Sequence, residues 1–168
     1  MIEGYNQDKL VASVRQATGE VFGTMLDLAL EQEPAYVESV AAEISEGVVS
    51  LIGLAGEWVG TGSIACGSHL ACVFSSKLLM SDCGEVNEEV MDALAEITNM
   101  IVGNVKTALE EDLGPMGLSI PTVVFGHEFK TRSVGQTEWV VVPFRTEGER
   151  FLVRLCLAPA ASSKARML

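Results

Sequence analysis

The chain's chemically suggestive side chains concentrate in one run, Asp92-Ala93-Leu94-Ala95-Glu96-Ile97-Thr98-Asn99-Met100-Ile101-Val102-Gly103-Asn104. At about 100° per residue, Leu94, Ile97, Ile101, Val105, Ala108 and Leu109 gather on one broad helical face, which must be buried. Asp92, Glu96, Asn99, Gly103 and Glu110 fall on the opposite side, within a stripe roughly 60° wide. A carboxylate, Glu96, and a carboxamide, Asn99, thus stand one turn apart and point the same way into solvent. The first can accept from a cation; the second can accept and donate at once. Taken alone, most such pairs on exposed helices are simply solvated surface. Gly103 is less ordinary, because glycine inside a helix costs about 0.5–1 kcal/mol relative to alanine. Two readings remain open for it: a partner's backbone approaches the helix closely, or another element of the same fold packs there.

The elements that must carry this stripe follow from periodicity. Glu85 to Leu113 is the longest helical pattern, stopped by Gly114-Pro115. Asn6 to Leu30 reads as an earlier long helix, capped by Asn6 or Asp8 and ended before Pro34. Ser68 to Met80 reads as a shorter helix capped by Ser68. Tyr36 to Ile44 reads as a strand, and Val48–Ala55 with Val59–Ala65 as a hairpin around Gly56-Glu57-Trp58. Ser119 to Phe125 is β-rich but interrupted by Pro121, which predicts an edge strand or a bulged one. Glu138–Arg145 and Arg150–Leu157 form a second hairpin around Glu147-Gly148.

The order helix, strand, hairpin therefore recurs at a spacing of roughly eighty residues, an internal duplication of an α-β-β-β unit. Hairpins outnumber crossovers, so the expected class is α+β, with two long helices on a largely antiparallel sheet. One domain over residues 1–158, followed by a flexible tail over 159–168, is the expected organisation.

Composition excludes several functions. Nearly half the residues are apolar (48%) and 20% are charged, enough apolar material for a sizeable core. With 11 Lys plus Arg against 23 Asp plus Glu, the formal charge is −12, which argues against nucleic acid and against anionic membrane surfaces. A basic protein partner is permitted. The start lacks a secretory signal pattern, and the longest largely apolar stretch, Val48 to Gly56, is too short to span a bilayer. Cys66, Cys72, Cys83 and Cys156 form no C-x-x-C pair, which suits a reduced cytoplasmic setting. His69 and His127 lie far apart and belong to no triad pattern, and the glycines match no phosphate-binding loop.

The string Glu96-Ile97-Thr98-Asn99-Met100-Ile101-Val102-Gly103-Asn104 resembles the E-x-x-N-x-x-x-G-N helix of the CheC/CheX/FliY family of chemotaxis phosphatases, and the CheX branch in particular. Asp92 four residues before Glu96, the strand Ser119-Ile120-Pro121-Thr122-Val123-Val124, and the hairpin Ile52 to Gly60 extend the likeness, which covers about Leu10 to Leu157. The resemblance implies a single CheC-like domain that hydrolyses the aspartyl phosphate of a CheY-like response regulator. It implies Asn99 as the residue orienting the attacking water and Glu96 as the partner of a receiver lysine. Asp92, Gly103, Asn104 and Lys106 are then partner-binding candidates. No cofactor is expected on this chain; Mg²⁺ is expected in the receiver, where it holds the phosphoryl charge.

A homodimer is also implied. If the halves are duplicates, Gly19-Glu20-Val21-Phe22-Gly23 takes the comparable place on the first helix, keeping Glu20 but offering Gly23 where the amide should stand. One competent site per chain is the expectation. The alternatives are a module of the same fold that binds a receiver without turning it over, and a dimerising adaptor.

Overall fold

The computed structural model describes residues 4–39, 43–131 and 138–161. Helix α1 (Gln7–Val21) opens on Asn6, whose Oδ1 accepts from the Asp8 and Lys9 N–H groups. Of the two candidate caps, Asn6 is the one used. The helix does not run on to Leu30. It widens into a π turn, Phe22–Leu26, and stops at Asp27 in the left-handed conformation. The wider turn lets both Phe22 and Leu26 point into the core, where Phe22 packs 4.9 Å from Phe74 and 5.0 Å from Phe151 between ring centres.

Two short strands follow, β1 (Glu31–Gln32) and β2 (Tyr36–Glu38). The expected strand from Tyr36 to Ile44 is thus divided: residues 40–42 lie outside the described residues, and residue 43 already belongs to β3 (Glu43–Gly56). β3 pairs with β4 (Trp58–Cys66) as the expected hairpin, Ala55 opposite Val59. Helix α2 (Ser68–Leu79) is capped by Gly67, not by Ser68, which is its first helical residue. Helix α3 (Glu88–Leu113) starts three residues later than the pattern predicts. Asn87 intercepts it there, its Oδ1 accepting from the Val90 N–H. Gly114, at φ +79°, ends it as expected.

After α3 come β5 (Met116–Leu118), β6 (Thr122–Thr131), β7 (Trp139–Thr146) and β8 (Glu149–Pro159). Pro121 stands between β5 and β6, which pair with the same strand, β3, as one interrupted edge. The β7–β8 turn uses Glu147 and Gly148, both at positive φ as a two-residue hairpin turn requires. Pro159 still pairs with Trp58, so the strand reaches into the expected tail; residues 162–168 of that tail lie outside the described residues.

All pairings are antiparallel, in the order β1/β2–β7–β8–β4–β3–β5/β6. The duplicated halves are interlocked. β2, which follows α1, joins the second half's β7; β6, which follows α3, joins the first half's β3. Each half completes the other's sheet, and one domain results. The three helices build one core with the sheet, in which Leu10 and Val14 of α1 join Leu94, Ile97 and Ile101 of α3. A smaller cluster of Trp139, Val141 and Cys156 forms on alternate residues of β7 and on β8.

Candidate functional site on helix α3

The seat of α3 decides which residues it offers to solvent. Gly62 of β4 lies directly beneath it: a Cβ there would come within 2.6 Å of Val102. The helix can settle close to the sheet because that side chain is missing. Leu94, Ile97, Ile101, Val105 and Leu109 are buried, as the periodicity predicts; Val102 is buried as well, and so is Thr98, whose hydroxyl donates to the Leu94 carbonyl at 2.7 Å. Ala108, expected on the buried face, is exposed because the buried face drifts round the helix toward its C-terminal end.

Asp92, Glu96 and Asn99 are all exposed, spaced over about 10 Å of helix axis. Among the described residues, no hydrogen bond or ion pair engages the side chain of Glu96 or Asn99. Both are available to a second molecule. Gly103 is half-buried, and a Cβ there would meet only Leu118 Cδ1, at 3.7 Å, an ordinary contact. The neighbouring element is therefore present but does not demand a glycine. Asn104 is exposed yet turned about 140° from Asn99, off the stripe.

Lys106 is half-buried and paired within the helix to Glu110. The Glu110 carboxylate also accepts from the Met116 N–H at 3.2 Å, tying the end of α3 to the start of β5. Lys106 first, and then the Met116 N–H, hold the Glu110 carboxyl below its ordinary range. Sequence spacing places Glu110 on the stripe; the structure gives it an internal task there.

β5 then runs back along α3, bringing Leu118 beside Gly103. Ser119 anchors the next turn. Its N–H donates to the Gly53 carbonyl at 2.9 Å, and its Oγ accepts from the Gly53 N–H at 2.8 Å. Ile120 follows, 88% exposed. Pattern reading treats this segment only as an interrupted strand and misses Ile120; an isoleucine between serine and proline was the available signal.

The first helix carries no equivalent. Glu20 and Gly23 are exposed, but Gly23 sits in the π turn. Counting instead from the two capping asparagines, Asn6 and Asn87, the position of Asn99 is Thr18, fully buried. Neither register supplies an exposed amide.

Other chemistries find no support in the geometry. Burial pushes the Cys66 thiol up to about 12 and the Cys72 thiol to about 11, so neither is a thiolate nucleophile near neutrality. His69 pairs with Glu149 and His127 with Glu46, both pairs at the surface. Among the described residues, no group of three or more His, Cys, Asp or Glu is placed to hold a metal ion. No helix in the described residues is long and apolar enough to cross a membrane. Two surface depressions, one at the α2–α3 junction and one beside the β7–β8 turn, are lined by neither Glu96 nor Asn99.

What the stripe offers is therefore a ridge, with a free acid and a free amide on a rigid helix, suited to another macromolecule. The family model for chemotaxis phosphatase CheX matches residues 48–145, which include the whole stripe up to Glu110. Chemotaxis protein CheX from Vibrio vulnificus is similar at 28% identity and a TM-score of 0.78, over 89% of this chain and 99% of that one. CheX from Desulfovibrio desulfuricans is similar at 25% identity and a TM-score of 0.80, over 89% and 99%. A CheX–CheY–BeF3–Mg²⁺ complex from Borrelia burgdorferi contains a chain of the same fold, at 24% identity and a TM-score of 0.76, over 89% and 97%. No protein of curated function matches. On its fold and on the matched stretch, this chain belongs to the CheX chemotaxis phosphatase family.

Proposed function

We propose that this protein is a CheX-like phosphatase that accelerates hydrolysis of the aspartyl phosphate on a CheY-like response regulator. The observation that carries the reading is the free, exposed pair Glu96 and Asn99, one turn apart on a helix held firmly against the sheet. The relative's complex of CheX with CheY, BeF3 and Mg²⁺ supports the partner class, since a tetrahedral fluoride stands in for a phosphoryl group.

Phosphoryl transfer to water needs an in-line nucleophile and neutralised equatorial oxygens. The receiver's own Mg²⁺ supplies the second, so this chain needs no cofactor. Asn99 supplies the first: its amide oxygen accepts from the attacking water while its NH₂ donates to a neighbouring acceptor, fixing the water in line. Glu96 pairs with a lysine near the receiver's phosphorylation site and sets the approach of Asn99. Asp92 extends the acidic track toward that basic surface. Gly103 leaves room for the receiver's backbone, and Asn104 and Lys106 flank the contact.

The protein acts in the cytoplasm as a homodimer, through exposed strand edges of which β6 is the longest. A monomeric mass in solution at micromolar concentration argues against the dimer.

Phosphate release from a CheY-like receiver phosphorylated with acetyl phosphate, with and without this protein, tests the reading. Accelerated release is expected. Tight binding of the receiver with no acceleration would replace the phosphatase by a receiver-binding module of the same fold.

A further inference from the structure

Ile120 is 88% exposed, and a fully solvated isoleucine on a flexible loop would need no explanation. This loop is not of that kind. Ser119 clamps it to Gly53 with two hydrogen bonds, and its hydroxyl donates onward to the Ile120 carbonyl at 3.1 Å. Pro121 fixes the backbone on the other side. A rigid turn thus holds an apolar side chain in water.

Its position follows from the strand before it. The Met116 N–H lies on Glu110 and Leu118 lies beside Gly103, so β5 runs antiparallel to α3. The chain beyond Leu118 therefore heads toward the Asn99 end of the stripe, carrying Ile120 with it.

We infer that Ile120 is the apolar docking residue of the receiver-binding surface, seated against an apolar side chain or aliphatic stem beside the receiver's phosphorylation site. This rests on the phosphatase reading above and adds a specificity determinant to it. The acidic stripe steers and orients; Ile120 supplies non-directional burial, with its ordering already made in the free protein. Because Ile120 touches only the body of the receiver, it sets KM and leaves the water held by Asn99 undisturbed.

The test measures phosphate release against concentration of the phosphorylated receiver for Ile120→Ser, Ile120→Val and Met80→Asn. Met80 is the control, a comparably exposed apolar residue (93%) at the left-handed end of α2, where asparagine is well tolerated. Ile120→Ser is expected to raise KM about tenfold with kcat within about twofold. Ile120→Val restores most of the affinity, and Met80→Asn changes nothing. Unchanged KM for Ile120→Ser, a fall in kcat alone, or an equal effect of Met80→Asn overturns the inference. Titration of the receiver loaded with BeF3 and Mg²⁺ separates the two claims. If the wild type binds without accelerating release, the catalytic reading fails, while a tenfold weaker Ile120→Ser titration still upholds the docking role; no binding by the wild type overturns both.

Discussion

Helices α1 and α3 start alike: each opens on an asparagine whose side chain caps its first turn, and each packs against the one antiparallel sheet. They end differently. α3 continues regularly for 26 residues and keeps its acid and amide in solvent. α1 is regular for 15 residues and then opens into a π turn that commits Phe22 and Leu26 to the core. In one half the helix gives its last turns to the core; in the other it keeps a straight, solvent-facing edge. Where a helix spends its last turns on aromatic packing, it loses the straight solvent-facing edge that a docking site needs.

That division of labour can be broken at either helix. The largest effect belongs to α1. Phe22→Ala removes a fully buried ring from a four-phenylalanine cluster and should cost about 3–5 kcal/mol in urea unfolding. Phosphatase activity per folded molecule stays unchanged; a specific loss of activity would blur the two roles. Next comes Glu96→Ala on the ridge, expected to lower kcat/KM by about ten- to a hundredfold while urea unfolding is untouched, because no described residue engages that carboxylate.

Gly103→Ala sharpens the contrast further. Its Cβ finds space in this chain, so stability should rise by about 0.5–1 kcal/mol, yet receiver binding should weaken as the added methyl meets the partner. A variant that is more stable and equally tight would return Gly103 to ordinary helix surface.

The smallest effect concerns acid. Glu110 is held down by Lys106 and the Met116 N–H, and Glu33 by Arg145 and then Arg150. Both native carboxyls titrate below their ordinary 4.5, so their stabilisation is complete above that pH and is lost as the pH falls through the lowered values. Glu33→Gln and Glu110→Gln should each flatten this acid limb in thermal melts as the pH falls below 4.5.

Much of the ridge was legible because burial of α3 is periodic: once Leu94, Ile97, Ile101 and Val105 face inward, Glu96 and Asn99 must face out. The hairpins were legible from local turn chemistry at Glu147-Gly148 and Gly56. The exchange of edge strands was not, since β2 on β7 and β6 on β3 are pairings across about a hundred and about seventy to ninety residues that leave no local trace. β1 and β5 are two and three residues long, below any periodic signal. The π turn was hidden for another reason: Leu28 is buried and continues the helical spacing of α1, although it packs from the loop beyond Asp27. The pairing of Lys106 with Glu110 follows from their i, i+4 spacing, but the bond from Met116 that gives Glu110 its structural role depends on where β5 returns.

Asn99 as the group that positions the attacking water lies at the centre of the proposed function. It is tested most directly by measuring kcat for Asn99→Ala at saturating phosphorylated receiver, with affinity for the BeF3-loaded receiver measured alongside. A loss of about a hundredfold or more in kcat is expected, with affinity within about threefold of wild type. An Asn99→Ala variant that releases phosphate at the wild-type rate would contradict it.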